Sequence, residues 1–155
     1  IRFNFRGVGK SEGLFDDGEG ELSDAASVLD WLQQYNTNSK VVWVAGFSFG
    51  AWVAMQLLMR RPEINNFISV SPPANTRDFS FLAPCPSTGL IVHGDKDTIT
   101  SFDSTKILSE KLQKQKKVNI HFKSIKGADH FYENFTDQFS SIIDNYIKDS
   151  LADLK

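Results

Sequence analysis

The chain has 155 residues, 41% of them hydrophobic and 23% charged, with a formal net charge of −2 at pH 7. That composition suits one globular domain with a core, expected over residues 1–155, and excludes disordered and collagen-like classes. The charge balance offers no basic field for a phosphate backbone, and no apolar run is long enough to span a bilayer, so neither nucleic acid nor membrane is an expected partner. The single cysteine, Cys85, excludes an internal disulfide and points to a reducing, cytoplasmic compartment.

In chain order, Ile1 to Phe5 reads as a β-strand of the kind that lies inside a sheet. The expectation is therefore that the chain is the C-terminal part of a longer protein. The glycine-rich turn Arg6 to Gly13 fits neither nucleotide-binding glycine pattern, because its spacing is wrong and no helix opens directly after it. The acidic loop Asp16, Asp17, Glu19 and Glu21 lacks the spacing of a calcium loop and sits where carboxylates favour a helix start. A helix is predicted from about Glu21 to Tyr35, with Leu22, Ala25, Ala26, Leu29 and Leu32 as its apolar stripe.

The most informative stretch follows. Val41 to Ala45 is a strand, Gly46-Phe47-Ser48-Phe49-Gly50 matches Gly-x-Ser-x-Gly, and Ala51 to Arg61 is helical with Ala51, Ala54, Met55 and Leu58 on one face. A serine at so tight a strand-to-helix turn needs neighbours with almost no side chain, a demand that Gly46 and Gly50 meet. Ser48 then stands at the N-terminus of a helix, where the Phe49 N–H and the helix dipole can receive a developing oxyanion.

Further strands are predicted at Asn66–Ser71, at Gly89–Val92 and at Val118–Ile125, where His121 falls on the solvent side. Helices are predicted over Phe102–Gln115 and after His130, the latter carrying Phe135, Phe139, Ile142, Ile143, Tyr146 and Ile147 as core. The Lys111, Lys114, Lys116 and Lys117 cluster reads as a solvated helix end. Residues 74–86, with Phe79, Phe81 and Leu82, are irregular and form the one candidate for a minimal cap; Cys85 within them is read as a partly buried, inert thiol. Strand and helix alternate throughout, so the fold class is α/β, a mostly parallel sheet with helices on both faces.

In a parallel sheet the loops after each strand emerge at one edge, and Ser48, Asp97 and His130 each lie just past a predicted strand end. A serine hydroxyl becomes a nucleophile when a histidine takes its proton, and the histidine needs a carboxylate to hold its tautomer. Asp95 competes with Asp97 for that last role.

The order Ser, Asp, His with the Gly46 to Gly50 turn resembles the α/β-hydrolase fold. Taken with Arg6-Gly7-Val8-Gly9, Ser71-Pro72-Pro73, His93-Gly94-Asp95-Lys96-Asp97 and Gly127-Ala128-Asp129-His130-Phe131, the chain is similar to small bacterial α/β-hydrolases related to dienelactone hydrolases and carboxylesterases. The resemblance implies Ser48 as nucleophile, His130 as base, Asp97 as orienting acid and Phe49 as one oxyanion donor. It also implies that N-terminal strands and the second oxyanion donor lie upstream of this chain. His93 would pack or hydrogen-bond locally, and Asp129 would shape its loop. The implied activity is hydrolysis of a small ester through an acyl-enzyme, with no metal and no organic cofactor. A serine aminopeptidase or acyl-peptidase, and a binding protein without turnover, are the alternatives. Oligomeric state stays open, a homodimer included.

Overall fold

The computed structural model describes residues 1–152. Its helices are α1 (Glu19–Tyr35), α2 (Phe49–Arg60), α3 (Phe102–Gln113) and α4 (Thr136–Ala152), and its strands β1 (Val42–Phe47), β2 (Ile64–Val70), β3 (Thr88–Gly94) and β4 (Ile120–Ile125). The strands form one sheet in the order β1-β2-β3-β4, every neighbouring pair parallel. Each crossover carries a helix or a long connection, as parallel pairing requires.

Alternation along the strands divides the core in two. Phe67 and Ile91 face α2 and the packed side chains of α1 and α3, whereas Ile68, Val70, Leu90 and Val92 face α4. A sheet covered on both faces has nearly continuous apolar strands, and β2 and β3 are buried along most of their length. Among the described residues, no helix is long and apolar enough to cross a membrane.

Several expectations are corrected. Residues 1–5 make no sheet ladder: an apolar groove lined by Ile1, Phe3, Phe5, Val42 and Val44 separates them from β1. Their aromatic side chains pack instead, Phe3 edge-on to Phe5 and Phe5 edge-on to Phe49, at 5.6 Å between centroids in each case. α1 starts at Glu19 because the Glu21 carboxylate, fully buried, turns back to accept from the Gly18 N–H at 2.8 Å and the Asp16 N–H at 3.0 Å. His121 is half-buried rather than solvent-facing, since α4 covers that face and the Tyr146 ring meets the imidazole edge-on at 5.4 Å.

The segment 74–86 is tied down. Phe79, Leu82 and Cys85 are buried in the core, the Trp52 indole N–H donates to the Asp78 carbonyl at 2.9 Å, and the Gln115 amide donates to the Leu82 carbonyl at 3.0 Å. Burial pushes the Cys85 thiol above its ordinary pKa, which disfavours the reactive thiolate.

Two glycines are required by close packing of main chain on main chain. A Cβ on Gly46 would strike the Gly50 carbonyl, and one on Gly94 would strike the Ala128 carbonyl. Gly50 is different, because a Cβ there would meet only the Phe5 ring at 3.6 Å, an ordinary contact. The expectation that both glycines of the turn serve close approach therefore holds for Gly46 alone. Gly46→Ala should destabilise the protein by at least about 3 kcal/mol in urea denaturation. Gly50→Ala, in a helix and without a clash, should leave stability unchanged or raise it by roughly 0.5–1 kcal/mol.

Behind the strand ends, Tyr132 holds a left-handed φ of 58° and places its hydroxyl 2.8 Å from Ser71 Oγ and 3.3 Å from the Val92 carbonyl. Burial pushes this phenol up to about 12. A folded-state pKa above the unfolded value of about 10 contributes stability below pH ~10 that is lost as pH rises toward 12. Tyr132→Phe should thus be less stable than wild type at pH 8, and the two urea midpoints should converge as pH rises through that window.

Candidate active site

The residues that converge do so because β1, β3 and β4 all end at the same edge of the parallel sheet. At the end of β1, Ser48 takes φ 53° and ψ −121°, a conformation that costs an L-residue on the order of 1–3 kcal/mol. Its main chain is clamped: the Ser48 N–H donates to the Val70 carbonyl at 2.8 Å, and the Ser48 carbonyl accepts from the Ala51 N–H at 2.9 Å. Immediately after it Phe49 opens α2, and an N–H at a first helical position has no partner inside its helix. An N–H so placed is able to donate to an anion at the start of the helix.

At the end of β3 the chain turns through Asp95 and Asp97, and beyond β4 the loop Lys126–Phe135 carries His130. The two loops are stitched together by Gly94 against Ala128, by the Lys96 N–H on the Ala128 carbonyl at 2.9 Å, and by the Gly127 N–H on Asp95 Oδ1 at 2.6 Å. The Asp95 carboxylate thus ties the loops together, and it is Asp97 that faces the histidine. Asp129 accepts from the Phe131 and Glu133 N–H groups, both at 3.2 Å, and so shapes the turn behind His130.

Ser48 Oγ lies 3.0 Å from His130 Nε2, and His130 Nδ1 lies 2.7 Å from Asp97 Oδ2. Nδ1 faces a carboxylate and so carries the ring proton, which leaves the Nε2 lone pair for the serine hydroxyl. The Asp97 side chain is fully buried. Burial alone would raise its carboxyl, but hydrogen bonds from His130, from the Thr100 hydroxyl and from the Thr100 and Ile99 amides outweigh burial and hold it below the ordinary carboxylate range. All four donors are short: His130 Nδ1 and the Thr100 hydroxyl lie 2.7 Å from Oδ2, and the Ile99 and Thr100 N–H groups each lie 2.8 Å from Oδ1.

Solvent reaches this line from one side. His130 is 4% exposed, covered by Phe47 at 4.8 Å and Phe131 at 5.2 Å between ring centroids, while Phe47 and Phe131 themselves are 43% and 62% exposed. The two rings, 6.3 Å apart between centroids, make an apolar rim beside a half-buried serine.

Sequence reasoning did not single out Thr100, the Ser71–Tyr132 pair or the aromatic rim. Thr100 could have been found, since an aspartate followed at two and three residues by amides it can accept from is a common turn signature. Tyr132 carries no comparable local signal, because its partners are 61 and 40 residues away.

Residues 1–139 match the family profile described as X-Pro dipeptidyl-peptidase (S15 family). An uncharacterised protein of Rickettsia prowazekii is 54% identical over 151 residues, covering 95% of this chain and 63% of its own length. A solved structure from Agrobacterium tumefaciens, of unknown function and named as a candidate α/β hydrolase, is 52% identical with a TM-score of 0.95, over 97% of this chain and 69% of that one. A lidless α/β serine hydrolase from Xanthomonas campestris is 31% identical with a TM-score of 0.85, over 95% and 64% of the two chains. The chain spans under two thirds of the curated relative's length. With its parallel sheet, its Gly-x-Ser-x-Gly turn and a profile match that reaches past His130, this chain belongs to the S15 peptidase family of α/β-hydrolase-fold proteins.

Proposed function

We propose that the protein is a serine hydrolase that cleaves small, accessible esters with an apolar portion. The observation that carries this reading is the unbroken line from Ser48 Oγ through His130 to a buried, ionised Asp97, at 3.0 and 2.7 Å. In the first half-reaction Ser48 Oγ bonds to the carbonyl carbon as its proton passes to His130 Nε2. Asp97 stabilises the resulting imidazolium, and the Phe49 N–H stabilises the oxyanion. The bond to the leaving oxygen then breaks as that oxygen takes the proton from Nε2. Water attacks the acyl-enzyme with His130 again as base, and the carboxylic acid departs as the proton returns to Ser48.

Ester preference is supported by the rim. Phe47 and Phe131 offer apolar contact beside the serine, and the 74–86 segment is committed to the core rather than folded over the site. The buried free thiol Cys85 supports a reducing, cytoplasmic setting. The family match favours a second reading, hydrolysis of peptide amides, in which the same residues act and His130 protonates a leaving amine.

Fluorophosphonate labelling followed by peptide mass spectrometry tests the acyl-transfer reading without knowing the substrate. Label should fall on Ser48 and vanish in Ser48→Ala; a folded protein that takes no label would overturn the reading. Relative turnover of p-nitrophenyl acetate and an alanyl-prolyl anilide separates the two substrate classes, with the ester expected to be faster. Between the aspartates, Asp97→Asn should lower kcat on the order of 10³-fold or more. Asp95→Asn keeps an oxygen for the Gly127 N–H and should stay within about threefold of wild type.

A further inference from the structure

A second histidine touches the same carboxylate. His93, the penultimate residue of β3, is fully buried, and its Nε2 lies 3.3 Å from Asp97 Oδ2, 3.3 Å from the Thr100 carbonyl and 3.4 Å from Thr100 Oγ1. The first two are pure acceptors, and the proton of the third is committed to Asp97 Oδ2 at 2.7 Å. Only a protonated Nε2 satisfies that environment. The other ring nitrogen, Nδ1, is buried with no hydrogen-bond partner among the described residues. An N–H there would be an orphaned donor, so the ring holds one proton, on Nε2, and is neutral. Burial also pulls the His93 pKa below its ordinary value, against the attraction of Asp97. The ionisable groups acting on this ring are Asp97 and His130, and the Phe102 ring of α3 closes its remaining side edge-on at 5.8 Å.

We infer that His93 is a positioning residue for acyl transfer: as a fixed neutral donor it braces Thr100, and through Thr100 the Asp97 carboxylate, so that the Oδ2 lone pair stays aimed at His130 Nδ1. The inference rests on the acyl-transfer reading. Its physical content is a relay: the His93 N–H holds the Thr100 carbonyl, Thr100 in turn donates its hydroxyl to Oδ2 and its N–H to Oδ1, and loss of the His93 donor loosens Thr100 and the carboxylate that it holds. A packing role alone would need only the ring's shape. A positioning role needs a donor at the place of Nε2.

Two amide substitutions distinguish these roles. In His93→Gln the side chain is long enough to place an amide N–H where Nε2 sits, whereas in His93→Asn it reaches only to the level of Nδ1, with similar polarity. In the intact protein, p-nitrophenyl acetate hydrolysis should show kcat lowered roughly tenfold or more in His93→Asn and His93→Leu, with KM within about twofold. His93→Gln should keep kcat within about threefold of wild type. Circular dichroism and thermal melting confirm that each variant is folded, and if the leucine variant is not, the two amide variants decide. Equal impairment of the glutamine and asparagine variants, or an asparagine variant as active as wild type, overturns the role of His93 while leaving acyl transfer standing. A wild type without Ser48-dependent turnover fails at the earlier step and removes both.

Discussion

The approach of Gly94 to Ala128 is the constraint on which the site depends. Main chain meets main chain there because residue 94 has no side chain, and the contact brings the turn after β3 and the loop after β4 within hydrogen-bonding range along several residues. Asp97 and His130 sit on those two loops, 33 positions apart, at 2.7 Å. Flexible loops would lose conformational entropy each time such a pair formed. Here the loss is met once, on folding, by Asp95, Lys96 and Gly127 rather than by Asp97 and His130.

A parallel constraint sets the serine. Gly46 lets the chain fold back onto Gly50, and the Ser48 N–H on the Val70 carbonyl holds the strained residue to the end of β2. The left-handed φ values of Ser48, Ser71 and Tyr132 gather at these strand ends. Strain persists where surrounding packing over-determines the backbone, and buried Ser71, Val92 and Tyr132 provide that packing.

Electrostatics then follow from geometry. The Asp97 side chain is fully buried and yet ionised because both its oxygens are held by donors, two amides on one and the Thr100 hydroxyl with the His130 imidazole on the other. A buried carboxylate with fewer donors would take up a proton and cease to orient His130. The covering rings of Phe47 and Phe131 keep water from His130 while leaving the serine side open.

Much of this was legible in sequence. Alternating strand and helix patterns give the parallel α/β class, and Gly-x-Ser-x-Gly between a strand and a helix marks Ser48, because period and turn chemistry are local properties. The Ile1–Phe5 pattern misleads for the complementary reason: alternation shows that a segment could pair, while pairing requires a strand beside it, and β1 lies across an apolar groove. His121 misleads likewise, since which strand face is covered depends on where α4 lands. Sequence by itself determined the elements from α1 to α4, their order and the residue types able to do acyl transfer. Only the tertiary structure decided that Asp97 and not Asp95 faces His130, and that His93, Thr100 and Tyr132 stand behind the line. Those choices depend on contacts between residues far apart in the chain, whose partners no local pattern encodes.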